Sequence, residues 1–385
     1  MTVKRLFIRF YSLTKNLMSE KSRIAYAIGG HSLDGQESAD KIMRAILWAS
    51  IKREYILDLI VHGSGPQAGK FLDNVDVEQL TRAEFEKLVI ECNMNAIDTV
   101  GGMLAAGFHT ENPKIKAAYR KENGLILGTS WTKETGDQLA VKRGLAGIAV
   151  VPTYVEADPK TITEPKKPVG NRTFNQEEVE ALQAKDFTVL DVDGKGKRIL
   201  VPSALIKEVI PSSRERISKL IKLGLIVIGA GVGGTPVLKK DGEIKVVPGV
   251  VDKDYALEAT LRSLEAEGIR HRLAVILTSC PCMVEDFAKA KKMIANEVGK
   301  ELYKQNFDLR WVIAEAAGRI KEIKAEDALR LLEAENRVTG GARPKLESLA
   351  RLVKDRVIEE GYICEDGNLE ESFDGGTWMG TKIVP

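Results

Sequence analysis

The sequence is poor in several features that would indicate particular classes of protein. It has four cysteines in 385 residues, Cys92, Cys280, Cys282 and Cys364. Their number and spacing suggest no disulfide framework and favour a reducing compartment. No apolar run approaches the roughly 20 residues that a transmembrane helix requires. We therefore expect a cytoplasmic protein with no membrane partner.

An excess of charge of one sign is also missing. The chain carries 57 basic and 55 acidic side chains, for a formal net charge of +2. Residues 1–17 contain no acid, and they hold the local positive excess in Lys4, Arg5, Arg9 and Lys15. No basic stripe with interleaved aromatic residues occurs elsewhere, so nucleic acid is not an expected partner.

The basic N-terminal stretch has two interpretations. Its apolar, acid-free composition is typical of an organellar presequence, which would place the protein in an organelle matrix. The alternative, which we favour, is an over-long start, because Met18 opens a second natural beginning just before the first predicted strand. In both cases residues 1–23 form an N-terminal extension.

Short apolar runs alternate with helical patterns along the chain, for example strand "RIAYAI" followed by helix 38–54, and helix 77–92 followed by strand "GLAGIAVVPTYV". This alternation predicts an α/β fold with a mainly parallel sheet covered by helices on both faces. Residues 155–178 are rich in proline and charge, and residues 190–202 resemble a hairpin. We interpret this region as an excursion between two halves of one sheet.

Three glycine-rich segments follow predicted strands, at residues 29–30, 62–70 and 229–236. Glycine there permits positive φ and exposes successive backbone N–H groups, which form a concave anion site. Segment 62–70 is not a Walker loop, since Ser64 replaces the required glycine and Phe71 follows Lys70. The three turns together predict a phosphate-handling site at the carboxyl ends of the strands.

Other local patterns allow alternatives. "GAGVGG" (229–234) matches a dinucleotide motif, but Pro236 opposes the helix that should follow. "CPC" (280–282) lacks the spacing of a zinc site, so we predict buried thiols. We expect His62 to bond loop backbone, while His31 is either such a residue or a substrate contact.

Taken in order, these segments resemble those of carbamate kinase, within the amino-acid-kinase superfamily. The resemblance covers roughly residues 24–385 and rests on "AIGGHSL", "VHGSGPQAG", "EPKKPVG", "RILVPSALIKEVI", "VIGAGVGGTPV", "GVVDKDYA", "GGARPKLESL" and the tail "GTKIVP". It implies an open αβα sandwich of two lobes. Residues 24–222 would bind the small acid and carry a protruding subdomain at about 155–200, and residues 223–385 would bind the nucleotide.

The resemblance also implies a reaction, ATP plus carbamate giving ADP plus carbamoyl phosphate, run mostly toward ATP within arginine metabolism. The cofactors would be ATP or ADP with Mg²⁺, held largely by water and phosphate oxygens and not by protein ligands. The partners would be a small-molecule acid and a nucleotide, and relatives are commonly homodimers.

The resemblance assigns roles to residues at matching positions. Lys253 and Lys345 would cradle the phosphates, and Lys167 would reach in from the protrusion. The acid would be bound by a first set, namely Gly29, Gly30, His31, Gly63, Ser64 and Gly65. The nucleotide would be bound by a second set, namely Gly231, Gly233, Gly234, Asp254, Thr278 and Ser279.

Several positions depart from the family pattern. His31 and Ser64 stand where the family has asparagine, and Val232 where it has glycine. In "TSCPCMV" (278–284), Ser279 replaces an aspartate and Val284 a tyrosine. Two alternatives to carbamate kinase therefore remain: a kinase of the same fold for another small carboxylate or carbamoyl compound, and a non-catalytic ligand-binding relative.

Overall fold

The computed structural model describes residues 22–53, 55–63, 65–122, 147–191, 196–240, 242–294, 307–333, 338, 341–366 and 380–385. The strands are β1 (Arg23–Ile28), β2 (Ile56–His62), β3 (Ile148–Val151), β4 (Tyr154–Ala157), β5 (Pro165–Pro168), β6 (Val189–Leu190), β7 (Arg198–Ala204), β8 (Ile206–Val209), β9 (Ile226–Gly229), β10 (Thr235–Lys240), β11 (Glu243–Val246), β12 (Val250–Val251), β13 (Leu273–Thr278), β14 (Glu322–Lys324), β15 (Glu360–Glu365) and β16 (Thr381–Val384). The helices are α1 (Gln36–Lys52), α2 (Gly65–Asp73), α3 (Arg82–Glu122), α4 (Gln176–Gln183), α5 (Pro211–Lys222), α6 (Lys253–Ala266), α7 (Phe287–Met293), α8 (Phe307–Ala316), α9 (Ala325–Glu333) and α10 (Ala342–Lys354).

The central sheet has the strand order β14-β16-β15-β13-β1-β2-β9-β3. Every neighbouring pair in it is parallel except β15 with β16. Its central strands β1, β2 and β13 are buried on both faces, as their near-continuous apolar runs predict. The predicted mainly parallel sheet is confirmed, and the tail strand β16 is part of it.

Helices cover both faces of this sheet and form two separate cores. In β1, Ala25 and Ala27 face a core shared with α5, α6, α9 and α10, whereas Ile24, Tyr26 and Ile28 face a core shared with α1 and α3. The alternation follows from the two-residue period of a strand. The three layers confirm the predicted αβα arrangement.

Two smaller sheets flank the main one, β11-β10-β4-β8 and β12-β7-β5, with β6 paired to β7. The antiparallel pairing of Val189 with Ile199 confirms the hairpin predicted at 190–202, although its turn, 192–195, lies outside the described residues. A third core joins this region, here called the arm (residues 165–204), to α2 and α3 through Leu72, Val89 and Phe174. The division into lobes remains a prediction.

Two predicted elements have different bounds in the structure. The helix expected over 77–92 begins only at Arg82, because Thr81 and Glu84 form a reciprocal cap that fixes the first turn there. The strand expected over "GLAGIAVVPTYV" is divided at Pro152 into β3 and β4, which belong to different sheets. Proline has no N–H to offer to a continuing ladder.

Within the described residues, no helix combines the length and the apolar character needed to cross a membrane. Residues 1–21, to which the presequence and over-long-start interpretations apply, lie outside the described part of the chain.

Candidate active site

The glycine segments meet at one edge of the central sheet. β1, β2 and β9 are parallel neighbours, so the turns that follow them lie side by side beyond their carboxyl ends. A Cβ at Gly63 would lie 3.1 Å from the backbone nitrogen of Gly30 and 3.4 Å from Cδ of Lys253. A side chain at position 63 would therefore crowd the point where two loops and a lysine meet, and glycine leaves room for them.

The third glycine turn serves close packing. A Cβ at Gly231 would lie 2.4 Å from Nε2 of His62, and one at Gly233, where φ is +84°, would lie 2.4 Å from the carbonyl oxygen of Val251. His62 is fully buried and its Nδ1 donates to the carbonyl oxygen of Gly63 at 3.2 Å. Burial lowers the pKa of His62 to about 4. The prediction that His62 bonds loop backbone is confirmed.

Val232 occupies an unusual conformation inside this turn. Its φ and ψ are 59° and 17°, the left-handed region that a β-branched residue rarely adopts. The side chain is buried against Ala96 and Ile97 of α3. The turn continues into strand β10 through Pro236 and not into a helix, so the dinucleotide-fold alternative is wrong.

A lysine–aspartate cluster lies at the start of α6. Asp252 caps the helix by accepting from the backbone N–H of Asp254 at 3.0 Å. Lys253 is 8% exposed and bonds the carboxylate of Asp254. Lys345 Nζ, from α10, reaches the other oxygen of Asp254 at 3.0 Å and the carbonyl oxygen of Gly341 at 3.0 Å. Asp254 thus bridges two lysines that are distant in the sequence.

Charge and burial shift the pKa values within this cluster. Burial would raise the pKa of Asp252, but Lys167, Lys253 and Lys345 outweigh it and lower that pKa to about 2. Burial lowers the pKa of Lys253, with Asp254 acting against it. Burial would also lower the pKa of Lys345, but Asp254 and Asp252 raise it overall. The site thus places two carboxyl groups and three lysines side by side.

Lys167 belongs to the arm and completes the cluster from the other side. Its Nζ lies 3.5 Å from the Asp252 carboxylate. The arm is attached to α2 by Asp73, whose carboxylate accepts from the backbone N–H groups of Asn171 (2.6 Å) and Arg172 (3.1 Å). Asp73 therefore helps to fix the position from which Lys167 extends.

A cavity of about 670 Å³ lies among these groups. Seven of the predicted site residues line it together, namely Gly29, Gly30, Gly63, Lys167, Lys253, Asp254 and Lys345. Its other charged lining residues are Arg198 and Asp252. Four cationic side chains thus face the cavity with two carboxylates, an arrangement suited to binding an anion.

Other predicted residues lie elsewhere. Gly231, Gly233 and Gly234 are buried in the turn beneath Val232 and do not line the cavity. Thr278 ends β13 and accepts from the backbone N–H of Asp366, while Ser279 is exposed. Gly65 is the first residue of α2. His31 lies in a short 3₁₀ turn, but its side chain, like the whole of Ser64, lies outside the described residues.

The two cysteines of "CPC" differ, which corrects the prediction that both are buried. Cys282 is buried and burial raises the pKa of its thiol to about 12, whereas Cys280 is exposed. Strand β13 ends at Thr278, so Cys280 lies beyond it, and the chain is buried again from Pro281 to Met283, where the Met283 N–H donates to Thr381.

Sequence reasoning missed Arg198, Asp252 and Asp73. Asp252 had a local signal, because an aspartate directly before an apolar helical pattern is a typical N-cap. Asp73 and Arg198 had none, since their positions at the site depend on how the arm folds back onto α2 and β12.

Known proteins resemble this chain in fold and, at low identity, in sequence. No family model matches the chain. It is 25% identical over 372 residues to the carbamate kinase-like protein YqeA of Escherichia coli, covering 95% of this chain and 99% of that protein. It is 27% identical over 373 residues to carbamate kinase of Pyrococcus furiosus, covering 94% and 99%. The structure of Giardia lamblia carbamate kinase bound to AMP-PNP matches with a TM-score of 0.63 at 19% identity, over 95% and 99% of the two chains. The resemblance predicted from the motifs is confirmed, and the chain is a divergent homologue of carbamate kinases.

Proposed function

We propose that the protein transfers a phosphoryl group between a nucleotide and a small acid, with carbamate as the first candidate. The reaction would be ATP plus carbamate giving ADP plus carbamoyl phosphate, run mostly toward ATP. The observation that supports it is the convergence of Lys253, Lys345 and Lys167 on one cavity walled by the backbone of Gly29, Gly30 and Gly63. The carbamate kinases among its homologues support the same reaction type.

The chemistry requires little from acid–base groups. A carboxylate oxygen of the acid attacks the γ-phosphorus, and the bond from that phosphorus to the ADP oxygen breaks. The nucleophile is already anionic, so no proton has to be removed. Catalysis then depends on in-line positioning and on positive charge around the transferred group. Lys253 and Lys345 would supply that charge, because Asp254 holds both ammonium groups in fixed positions.

Magnesium would reach the site with the nucleotide. Among the described residues, no group of three His, Cys, Asp or Glu side chains could hold a metal ion. The two carboxylates that line the cavity are both engaged with lysines. The phosphate oxygens and water would therefore be the main ligands of Mg²⁺.

The test is ATP formation by purified protein from carbamoyl phosphate, ADP and Mg²⁺. We expect turnover in the wild type and a loss of about 10²- to 10³-fold in kcat for Lys345→Met, since a preorganised cationic donor is removed. Lys354→Met, on the same helix but exposed, is the matched control and should retain full activity. Absence of ATP from the wild type at high enzyme concentration would refute the proposal.

The same proposal includes a cytoplasmic location and a homodimer, as the resemblance implies. Light scattering of the purified chain measures the second of these directly. A single mass near 42.3 kDa would contradict it.

A further inference from the structure

The cavity has two chemically different ends. One is formed by the glycine backbone and the lysine–aspartate cluster. The other is formed by side chains of α2, α3, the arm and β12, namely Leu72, Val89, Cys92, Val169 and Val250. Hydrocarbon and one thiol therefore face the space next to the proposed phosphoryl-transfer position.

This apolar end belongs to a packed core of the protein. Leu72, Val89 and Cys92 are 7%, 2% and 3% exposed and belong to the third core, which also holds Phe85 and Phe174. Val169 and Val250 are partly buried and pack against the same core. The apolar end is thus backed by a packed core, and Val169 and Val250 are its more accessible members.

The amide side chains that line the cavity are engaged with the protein. Asn93 Nδ2 donates to the carbonyl oxygen of Gly249 at 3.0 Å, and Asn171 Nδ2 donates to Asp73 Oδ2 at 2.8 Å. Burial raises the pKa of the Cys92 thiol to about 11, so it lines the cavity in its neutral form. Apart from the guanidinium of Arg198, whose neighbour Ile199 pairs with Val169, the apolar end offers little hydrogen bonding to a ligand.

Carbamate does not match this end of the cavity. It consists of a carboxylate and an amino group, and placing its N–H groups against hydrocarbon costs free energy unless they find acceptors. An acid with an aliphatic substituent instead gains binding affinity, because the transfer of each methylene from water to an apolar surface is favourable. The lining thus discriminates between two kinds of acid.

We propose that the acid phosphorylated here carries an aliphatic substituent. Its carboxylate or carbamate group lies beside Gly29, Gly30 and Lys167, and its chain contacts Val169, Val250 and Leu72. The inference rests on the proposed function and names its substrate class. A carboxylate oxygen forms the new bond to the γ-phosphorus, ADP leaves with the electrons of the broken bond, and no proton or redox equivalent is transferred.

The experiment compares carbamate with straight-chain carboxylates from acetate to octanoate. ADP release from MgATP gives kcat/KM, and calorimetry in the presence of AMP-PNP gives affinity for the same acids. We expect both to rise about threefold to fourfold per methylene until the apolar end is filled.

Two variants locate the effect. Cys92→Phe fills the apolar end and should lower the ratio of octanoate to acetate affinity at least tenfold. Val89→Leu adds only one methylene and should shift the optimal chain length downward by about one, which keeps the test valid if the larger side chain prevents folding. Met94→Phe, on the same helix and 45% exposed, is the matched control.

The outcomes separate this inference from the proposed function. Turnover of carbamate with no gain from chain length overturns the inference and leaves the proposed function standing. Affinity that rises with chain length without turnover of any acid supports the apolar-acid site and refutes the kinase. If no acid is turned over and affinity does not change with chain length, both the inference and the proposed function are overturned.

Discussion

The two ends of the central strands both carry buried ionic groups, but the groups are arranged differently. At the amino ends, Asp58 accepts from Arg23 at 2.5 Å and pairs with His271 Nε2 at 2.7 Å, and Asp58 is 1% exposed. The register of β1 with β2 shifts at this point, which leaves Asp58 without a partner residue in the ladder. At the carboxyl ends, Asp252 and Asp254 are outnumbered by the cations that face the cavity.

Because of this difference, we expect one cluster to contribute to stability and the other to ligand binding. The carboxylate of Asp58 is enclosed by protein partners, so its contribution is to the free energy of unfolding. Burial would raise the pKa of Asp58, but His271 and Arg23 lower it overall. The cluster at the carboxyl ends presents more basic than acidic side chains to a cavity, so its contribution is to anion binding.

The largest expected effect is on stability, from Asp58→Ala. Removing one member of a buried ionic cluster leaves its partner uncompensated, which costs about 3–5 kcal/mol. Urea denaturation measures the loss, and ATP formation per folded molecule should stay within about twofold of wild type. Asp355→Ala removes a surface acid and is the control, with an expected change within about 0.5 kcal/mol. A stability change for Asp58→Ala as small as that of the control would contradict the comparison.

Lys253→Met should give the opposite pattern. The variant removes one cation from a cluster that has an excess of them, and methionine fills much of the same space. We expect a loss of about 10²- to 10³-fold in kcat, with an unfolding free energy within about 1 kcal/mol of wild type. Equal losses of stability and activity would mean that this cluster is structural, like the one at the amino ends.

A smaller effect concerns pH and Asp252. The folded pKa of about 2 lies below the value of about 4 in an unfolded chain. A depressed pKa contributes stability that is present above the unfolded value and is lost as pH falls through the folded value. Asp252 should therefore contribute about 2 kcal/mol near neutral pH, lost between about pH 4 and 2.

Asp252→Asn tests that contribution, because asparagine preserves the helix cap while removing the charge. Urea denaturation should show the variant less stable than wild type at pH 6 and equal to it near pH 2. A difference that is the same at both pH values would assign the effect to packing and not to ionisation.

The parts of the site that depend on local sequence pattern were predictable from the sequence. The turns at Gly29–Gly30 and Gly63 were identifiable because each follows an apolar strand, and parallel strands bring their carboxyl ends to one edge. Local pattern does not show which side chains distant in the sequence come into contact. Asp254 with Lys345 spans 91 residues, and Ser32 with Asp366 spans 334.

The apolar end of the cavity was not predicted for the same reason. Leu72 and Val89 lie on separate helices and Val169 follows β5, and only the packing of the arm onto α2 and α3 gives them a common face. Cys280 was misplaced because an apolar run does not show where its strand ends.

The order of strands in the central sheet also determines which strand edges stay unpaired while the chain is being synthesised. β1 lies between β2 and β13, so one of its edges has no partner until residues 273–278 have been translated. At about 5–20 residues per second, that edge waits on the ribosome for about 12–50 seconds. An unpaired edge of buried apolar residues is a template for association with other chains. Chaperone binding during translation is therefore expected to matter most in that interval.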